Sequence, residues 1–409
     1  MKKSFASIVL SIALSVSTFG NTPPNNSEDI DLPISSIVDK YYPAGSFYFG
    51  ASSKRMYFVN PDEKADQFFT EFSYNTPENA FKQVVVYQQP DSKWNSAEYL
   101  YFIKKARENK QLIRCHGPIS PQCSRWIMAD ERTPEELDKM IDDYFTKICK
   151  EMEANKDVVK WLDVVNEVFS GSQQKGLGYD GKETEDVVVY KADDWFGPKK
   201  GDKEWQNPYT ILGFEHVQFN GEDLEIPKYV LKAFKIANKY APSVKLIWND
   251  HGKTTNPKII EKLKKIVLYL RSTGLRIDGI GWQAHVNIGW EKSIDNIKNL
   301  ESEIDWCYQN KLEFHITELD VTLQENNVAK SDQAEVFKKS HEEQANTFGA
   351  ITETVLKKLG KGAVSINLWT MYDHAEGNRL FAGLFDENGI PNPSYYRVKE
   401  VLLKYGTIK

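Results

Sequence analysis

Eight short apolar runs, most ending in polar residues, set the narrowest limit on what this chain folds into. They are Ser46–Gly50, Phe68–Phe72, Gln111–His116, Trp161–Glu167, Val244–Asp250, Ile277–His285, Leu312–Asp320 and Ala363–Asp373. Helical patterns separate most of them. Thr133–Asn155 opens on Thr133-Pro134-Glu135-Glu136, a capping start with Pro at the first helical position. Pro227–Tyr240 and Pro257–Thr273 carry apolar residues three and four apart. Strands alternating with helices imply a parallel sheet. Eight such units predict an α/β fold: a single (β/α)8 TIM barrel with a long loop after strand 4. An open doubly wound sheet would show a Gly-rich phosphate turn after an early strand, and none is present.

Composition narrows the partners. The chain has 409 residues, 41% hydrophobic and 27% charged, which excludes a disordered chain and a multi-span membrane protein. Net charge is −6 with no long basic run, so a nucleic-acid partner is not expected. Met1-Lys2-Lys3 followed by the uncharged stretch Phe5–Phe19 reads as an export signal over 1–20. The apolar stretch is short for a spanning helix, so no membrane span is expected once the signal is removed. Residues 21–30 read as a flexible leader and 31–409 as the catalytic domain. The expected product is a monomer in the periplasm or the medium. Export permits disulfides, and Cys115, Cys123, Cys149 and Cys307 allow three pairings or free buried thiols.

In a barrel of this kind the strand C-termini face the active site. The runs end on His116, Asn166-Glu167, Asn249-Asp250, Gln283 with His285, Glu318 with Asp320, and Trp369; Glu78-Asn79 follows the second. Two carboxylates on different strands, Glu167 and Glu318, are the minimal machinery for glycoside hydrolysis. One attacks the anomeric carbon and the other protonates the leaving oxygen, so the first must be ionised and the second protonated. His285, Glu318 and Asp320 are expected to form a hydrogen-bonded string. Carboxylate chemistry needs no cofactor.

These residues bring a resemblance. Trp161-Leu-Asp-Val-Val-Asn-Glu167, Phe314-His-Ile-Thr-Glu-Leu-Asp320, Ile277-Asp-Gly-Ile-Gly-Trp-Gln-Ala-His285, Trp248-Asn-Asp250, Asn367-Leu-Trp369 and Glu78-Asn79-Ala-Phe-Lys82 stand in order along nearly the whole chain. Together they resemble glycoside hydrolase family 10, the retaining endo-β-1,4-xylanases. The resemblance implies Glu167 as acid/base, Glu318 as nucleophile, and Lys82, His116, Asn166, Gln283 and His285 around the central sugar. It implies Glu78 and Asn79 at the next sugar outward, Trp369 as an aromatic wall, and Asp320 and Asn249 in support. The substrate implied is a xylan-like polysaccharide or oligosaccharide, with no metal.

Two departures stand out. The family usually runs Gly-His-x-x-x-Trp-His after strand three; here Ser120 stands at the Trp position and Pro121 at the second His. A second Trp is common eight residues beyond Trp369, and here that residue is Gly377. A reshaped central subsite for a decorated or mixed-linkage xylan, or another β-glycan, is the expectation. The long loop from Phe169 to about Asn207 is read as building aglycone-side subsites. A non-catalytic carbohydrate-binding barrel would have no need of the opposed acid pair. A metal-dependent hydrolase would leave that pair unexplained.

Overall fold

The computed structural model describes residues 27–59, 63–87, 93–121, 133–169, 208–250, 257–323, 333–373 and 382–407, with four two-residue strands between 172 and 189. Eight parallel strands close a barrel: β1 Tyr48–Ser53, β2 Tyr74–Pro77, β3 Leu112–Cys115, β4 Val159–Asn166, β5 Lys245–Asp250, β6 Gly279–Trp282, β7 Glu313–Thr322 and β8 Ala363–Leu368. Each pairs with its sequence neighbour, β8 returns to β1, and β6 pairs with β7 through Gly279↔Glu313 to Trp282↔Ile316. The expected (β/α)8 barrel is therefore the observed one.

One strand is corrected. Phe68–Phe72 is not a strand; its residues through Glu71 belong to the helix Glu63–Glu71. Its buried Phe68 and Phe72 lie four apart, which is helical spacing. The true β2, Tyr74-Asn-Thr-Pro77, is wholly buried and half polar, so it carries no apolar signal. Its polar residues point into other strands' polar groups: Thr76 Oγ1 donates to Asn367 Oδ1 at 3.0 Å, and Ser53 Oγ donates to Asn75 Oδ1 at 2.6 Å.

The helices follow the sequence closely. Pro134–Ala154 is opened by a capping box in which Glu136 N donates to Thr133 Oγ1 and Thr133 N donates to Glu136 Oε2. Lys228–Tyr240 and Pro257–Ser272 match the expected spans within a residue. Across the end of the stretch read as leader, Ser27–Asp31 forms a short 3-10 helix whose Asp29 pairs with Lys40. Cys115, Cys149 and Cys307 are free and buried, while Cys123 lies outside the described residues. No helix among the described residues is long and apolar enough to cross a membrane.

One buried acid gives a stability prediction. Glu303 is buried on the helix Ile294–Gln309, and loss of water pushes its carboxyl up to about 8. An acid raised in the folded state holds its proton there after the unfolded chain has released it. Stability therefore falls as pH rises from about 4 to about 8. Glu303→Gln removes this titration and is expected to gain about 2–4 kcal/mol at pH 8 and little at pH 4. Urea unfolding at both pH values checks it; an equal effect at both would contradict it.

Candidate active site

The site sits at the strand C-termini and is organised around Glu318, which is 2% exposed on β7. Asn249 Nδ2, from β5, donates to Glu318 Oε1 at 2.9 Å and to Asn166 Oδ1 at 2.8 Å. Thr317 Oγ1 donates to Asn249 Oδ1 at 2.6 Å, which fixes the amide's orientation. On the other side, His285 Nε2 lies 3.3 Å from Glu318 Oε2, and its Nδ1 lies 2.9 Å from Asp320 Oδ2. The three residues expected to form a string lie together, with a hydrogen bond between His285 and Asp320 and a 3.3 Å contact between His285 and Glu318. A carboxylate held by an amide donor and an imidazole is oriented and stabilised as an anion.

Glu167 joins the same network from β4. Gln283 Nε2 donates to Glu167 Oε1 at 3.0 Å and to Asn166 Oδ1 at 3.2 Å. Consecutive strand residues ordinarily face opposite sides. Asn166 and Glu167 reach a common partner because Glu167 adopts φ +55°, a left-handed conformation that costs a non-glycine residue free energy. Its flanks hold it there: Glu167 N donates to Asn249 O at 3.2 Å, and Val168 N donates to Asp250 Oδ2 at 3.0 Å. Ala284 shows the same twist at φ +59°, between Gln283 and His285. Gly281 is required by crowding, since a Cβ there would lie 2.4 Å from Asn249 Oδ1 and 2.7 Å from Thr317 Cγ2.

His116 and Trp369 form a wall. The Trp369 ring meets His116 edge-on at 5.2 Å between centroids and His285 at 6.2 Å. Lys82 is buried beneath the turn at Gly117, where a Cβ would come within 3.3 Å of Lys82 Cε. Glu78 stands farther out, paired with Lys54 at 3.4 Å, and Asn79 is exposed. Ser120 is buried at the foot of the turn. Gly377, Trp126, Trp195, Trp205 and Phe381 lie outside the described residues, as does most of the long loop after β4.

Sequence reasoning missed Arg114, Asp163 and Thr317. Arg114 and Asp163 are fully buried inside the barrel. Arg114 Nε donates to both Asp163 oxygens, at 3.0 and 3.1 Å. Asp163 Oδ2 lies 3.0 Å from His116 Nδ1, and a carboxylate there can only accept. The proton therefore sits on Nδ1, and His116 Nε2 faces Glu318 Oε1 at 3.9 Å. The available signal was a pair of opposite charges in the middle of neighbouring apolar strands. Asp163→Asn leaves the Arg114 cation without its counter-charge and is expected to cost about 3–5 kcal/mol of stability. Denaturant unfolding measures this; a loss under about 1 kcal/mol would contradict the pairing.

The network can hold one carboxylate as an anion and set another beside it across a cleft rim. Comparison with known proteins agrees with that chemistry. The sequence model of Glycosyl hydrolase family 10 matches residues 36–190 and 219–401. The chain belongs to glycosyl hydrolase family 10. Among curated relatives, it is 26% identical over 383 residues to endo-1,4-beta-xylanase A of Caldicellulosiruptor saccharolyticus, covering 91% of this chain and 97% of that one. It is 28% identical over 347 residues to endo-1,4-beta-xylanase A of Humicola insolens, covering 81% and 74%. Among solved structures, xylanase 10B from Thermotoga petrophila in complex with xylobiose matches with a TM-score of 0.69 at 22% identity, covering 91% of this chain and 97% of that chain. Native xylanase 10B from Thermotoga maritima matches with a TM-score of 0.67 at 23% identity, covering 91% and 98%. At these identities the structural likeness establishes the barrel, and the family 10 match carries the rest.

Proposed function

We propose that this family 10 chain is a retaining endo-1,4-β-xylanase acting by double displacement. The observation that carries the proposal is the pair of glutamates, Glu167 directly after β4 and Glu318 on β7, joined through Gln283, Asn166 and Asn249. In the first step Glu318 attacks the anomeric carbon while Glu167 gives its proton to the departing glycosidic oxygen. A covalent glycosyl ester on Glu318 results. In the second step Glu167, now ionised, takes a proton from water, and the water oxygen displaces Glu318 from the same carbon. Two inversions retain configuration, which calls for carboxyl groups about 5–5.5 Å apart. Asn249 and His285 hold Glu318 as an anion. His116, Lys82, Asn166 and Gln283 ring the central sugar, with Trp369 as a wall and Glu78 and Asn79 beyond.

The relatives' names support xylan as the substrate. Ser120 in place of an expected Trp supports a finer reading, in which the central subsite admits a decorated or mixed-linkage xylan. Product analysis by mass spectrometry tests both on linear β-1,4-xylan, glucuronoarabinoxylan, mixed-linkage xylan and β-glucan. Xylo-oligosaccharides from the xylans alone are expected. Release from β-glucan with silence on every xylan would overturn the assignment. Export through residues 1–20 and a monomeric state complete the proposal. N-terminal sequencing of secreted protein and its sedimentation mass test these two points.

A further inference from the structure

We propose that the barrel's flank carries a second glycan site, a groove that binds polysaccharides bearing carboxylate or sulfate groups. It is an open groove of about 890 Å³ between the helices Pro134–Ala154 and Lys228–Tyr240. Glu215, in the stretch that the family match skips, forms part of its rim. Lys228, Lys232, Lys235 and Lys239 follow one another at spacings of four, three and four, so they share one face of their helix. Lys147 and Lys150 face them from the other helix.

The two ends of the groove differ. Toward the start of the second helix, Lys232 is neutralised by Asp138 and Asp142, each at 2.6 Å. Toward its end, Lys147, Lys150, Lys235 and Lys239 are exposed, and among the described residues none of them has an ion-pair partner. The ammonium groups of Lys150 and Lys239 lie 4.9 and 4.8 Å from the centre of the half-buried Tyr240 ring. Lys147 lies 4.2 Å from the Trp94 ring instead, and with Lys235 these unneutralised cations make a basic trough on a chain of net charge −6.

Exposed lysines hold a single small anion weakly, but a polymer with repeated charges engages several at once. The choice of a glycan over another polyanion rests on the proposed polysaccharide substrate. Binding here and hydrolysis at the barrel mouth are separate events and fail separately.

Affinity electrophoresis of the full chain in native gels tests the groove, with neutral xylan, glucuronoxylan or sulfated xylan as the embedded polymer. Retardation by one or both acidic polymers beyond that caused by neutral xylan at equal concentration, which reports the barrel-mouth site alone, is expected; which acidic gel shows the excess identifies carboxylate or sulfate as the ligand. The triple variant Lys150→Ala, Lys235→Ala, Lys239→Ala should weaken it by about tenfold, and 0.5 M salt, about a threefold rise over physiological strength, should do the same. The matching triple Lys→Arg variant should restore it. Hydrolysis of an aryl xyloside should stay within about twofold of the unaltered chain in both variants, because these side chains lie outside the strand-end site. Retardation in both acidic gels no stronger than in neutral xylan, or equal retardation of the Ala variant, would overturn the proposal.

Discussion

Glu318→Ala is expected to lower turnover by about 10⁵-fold or more while the barrel stays folded. In the proposed mechanism this carboxylate forms the glycosyl ester, and alanine offers no substitute. Stability should hold for a separate reason. Glu318 shares His285 with Asp320, so two acids are crowded around one imidazole. Removing one relieves repulsion between buried like charges and offsets the loss of the hydrogen bond from Asn249. Turnover on xylan and the urea midpoint, measured on the same preparation, separate the two effects. Activity near that of the unaltered chain would refute the nucleophile role, and a collapsed midpoint would show Glu318 to be structural.

Glu167→Ala is expected to split substrates by leaving group. Natural xylo-oligosaccharides depart as poor alkoxides and need the proton, so kcat/KM should fall by about 10³–10⁴-fold. Aryl xylosides with acidic phenols leave unaided, and their first step should fall by less than about tenfold. The deglycosylation step, in which the proposed mechanism uses Glu167 as base, should then become slow for both, and a burst of phenol should appear in pre-steady-state kinetics. Equal losses on both substrate classes would contradict the acid role. The geometry gives a reason to expect no wider damage. Glu167 makes one side-chain hydrogen bond to Gln283, and its strained φ of +55° is held by backbone bonds that alanine keeps.

Much of the barrel was legible because seven of its strands fall on apolar runs, six of which end in or near polar residues. The missing one shows the limit. β2 lies wholly inside and is half polar, so apolar periodicity pointed to the adjacent helix containing Phe68 instead. The identities of Glu167, Glu318, His285 and Asp320 were legible because each stands at or near the polar end of an apolar run in the sequence. How Asn166 and Glu167 meet one partner was not, because it depends on a left-handed residue, and nothing about a Glu announces φ above zero. The Arg114–Asp163 pair was hidden for another reason. The two are 49 positions apart, and only the register of β3 on β4, with Arg114 opposite Trp161, brings them together.

Glu318 is the residue proposed to take the sugar. Incubation with a 2-deoxy-2-fluoro xylobioside carrying a good leaving group, then peptide mapping by mass spectrometry, tests this directly. The fluorine slows the second displacement more than the leaving group slows the first, so the glycosyl ester accumulates. A 2-fluoroxylobiosyl mass increase on the peptide containing Glu318, absent from Glu318→Ala, is the predicted result. An inactivated enzyme labelled on another residue, or hydrolysis of xylan with no adduct trapped at all, would contradict it.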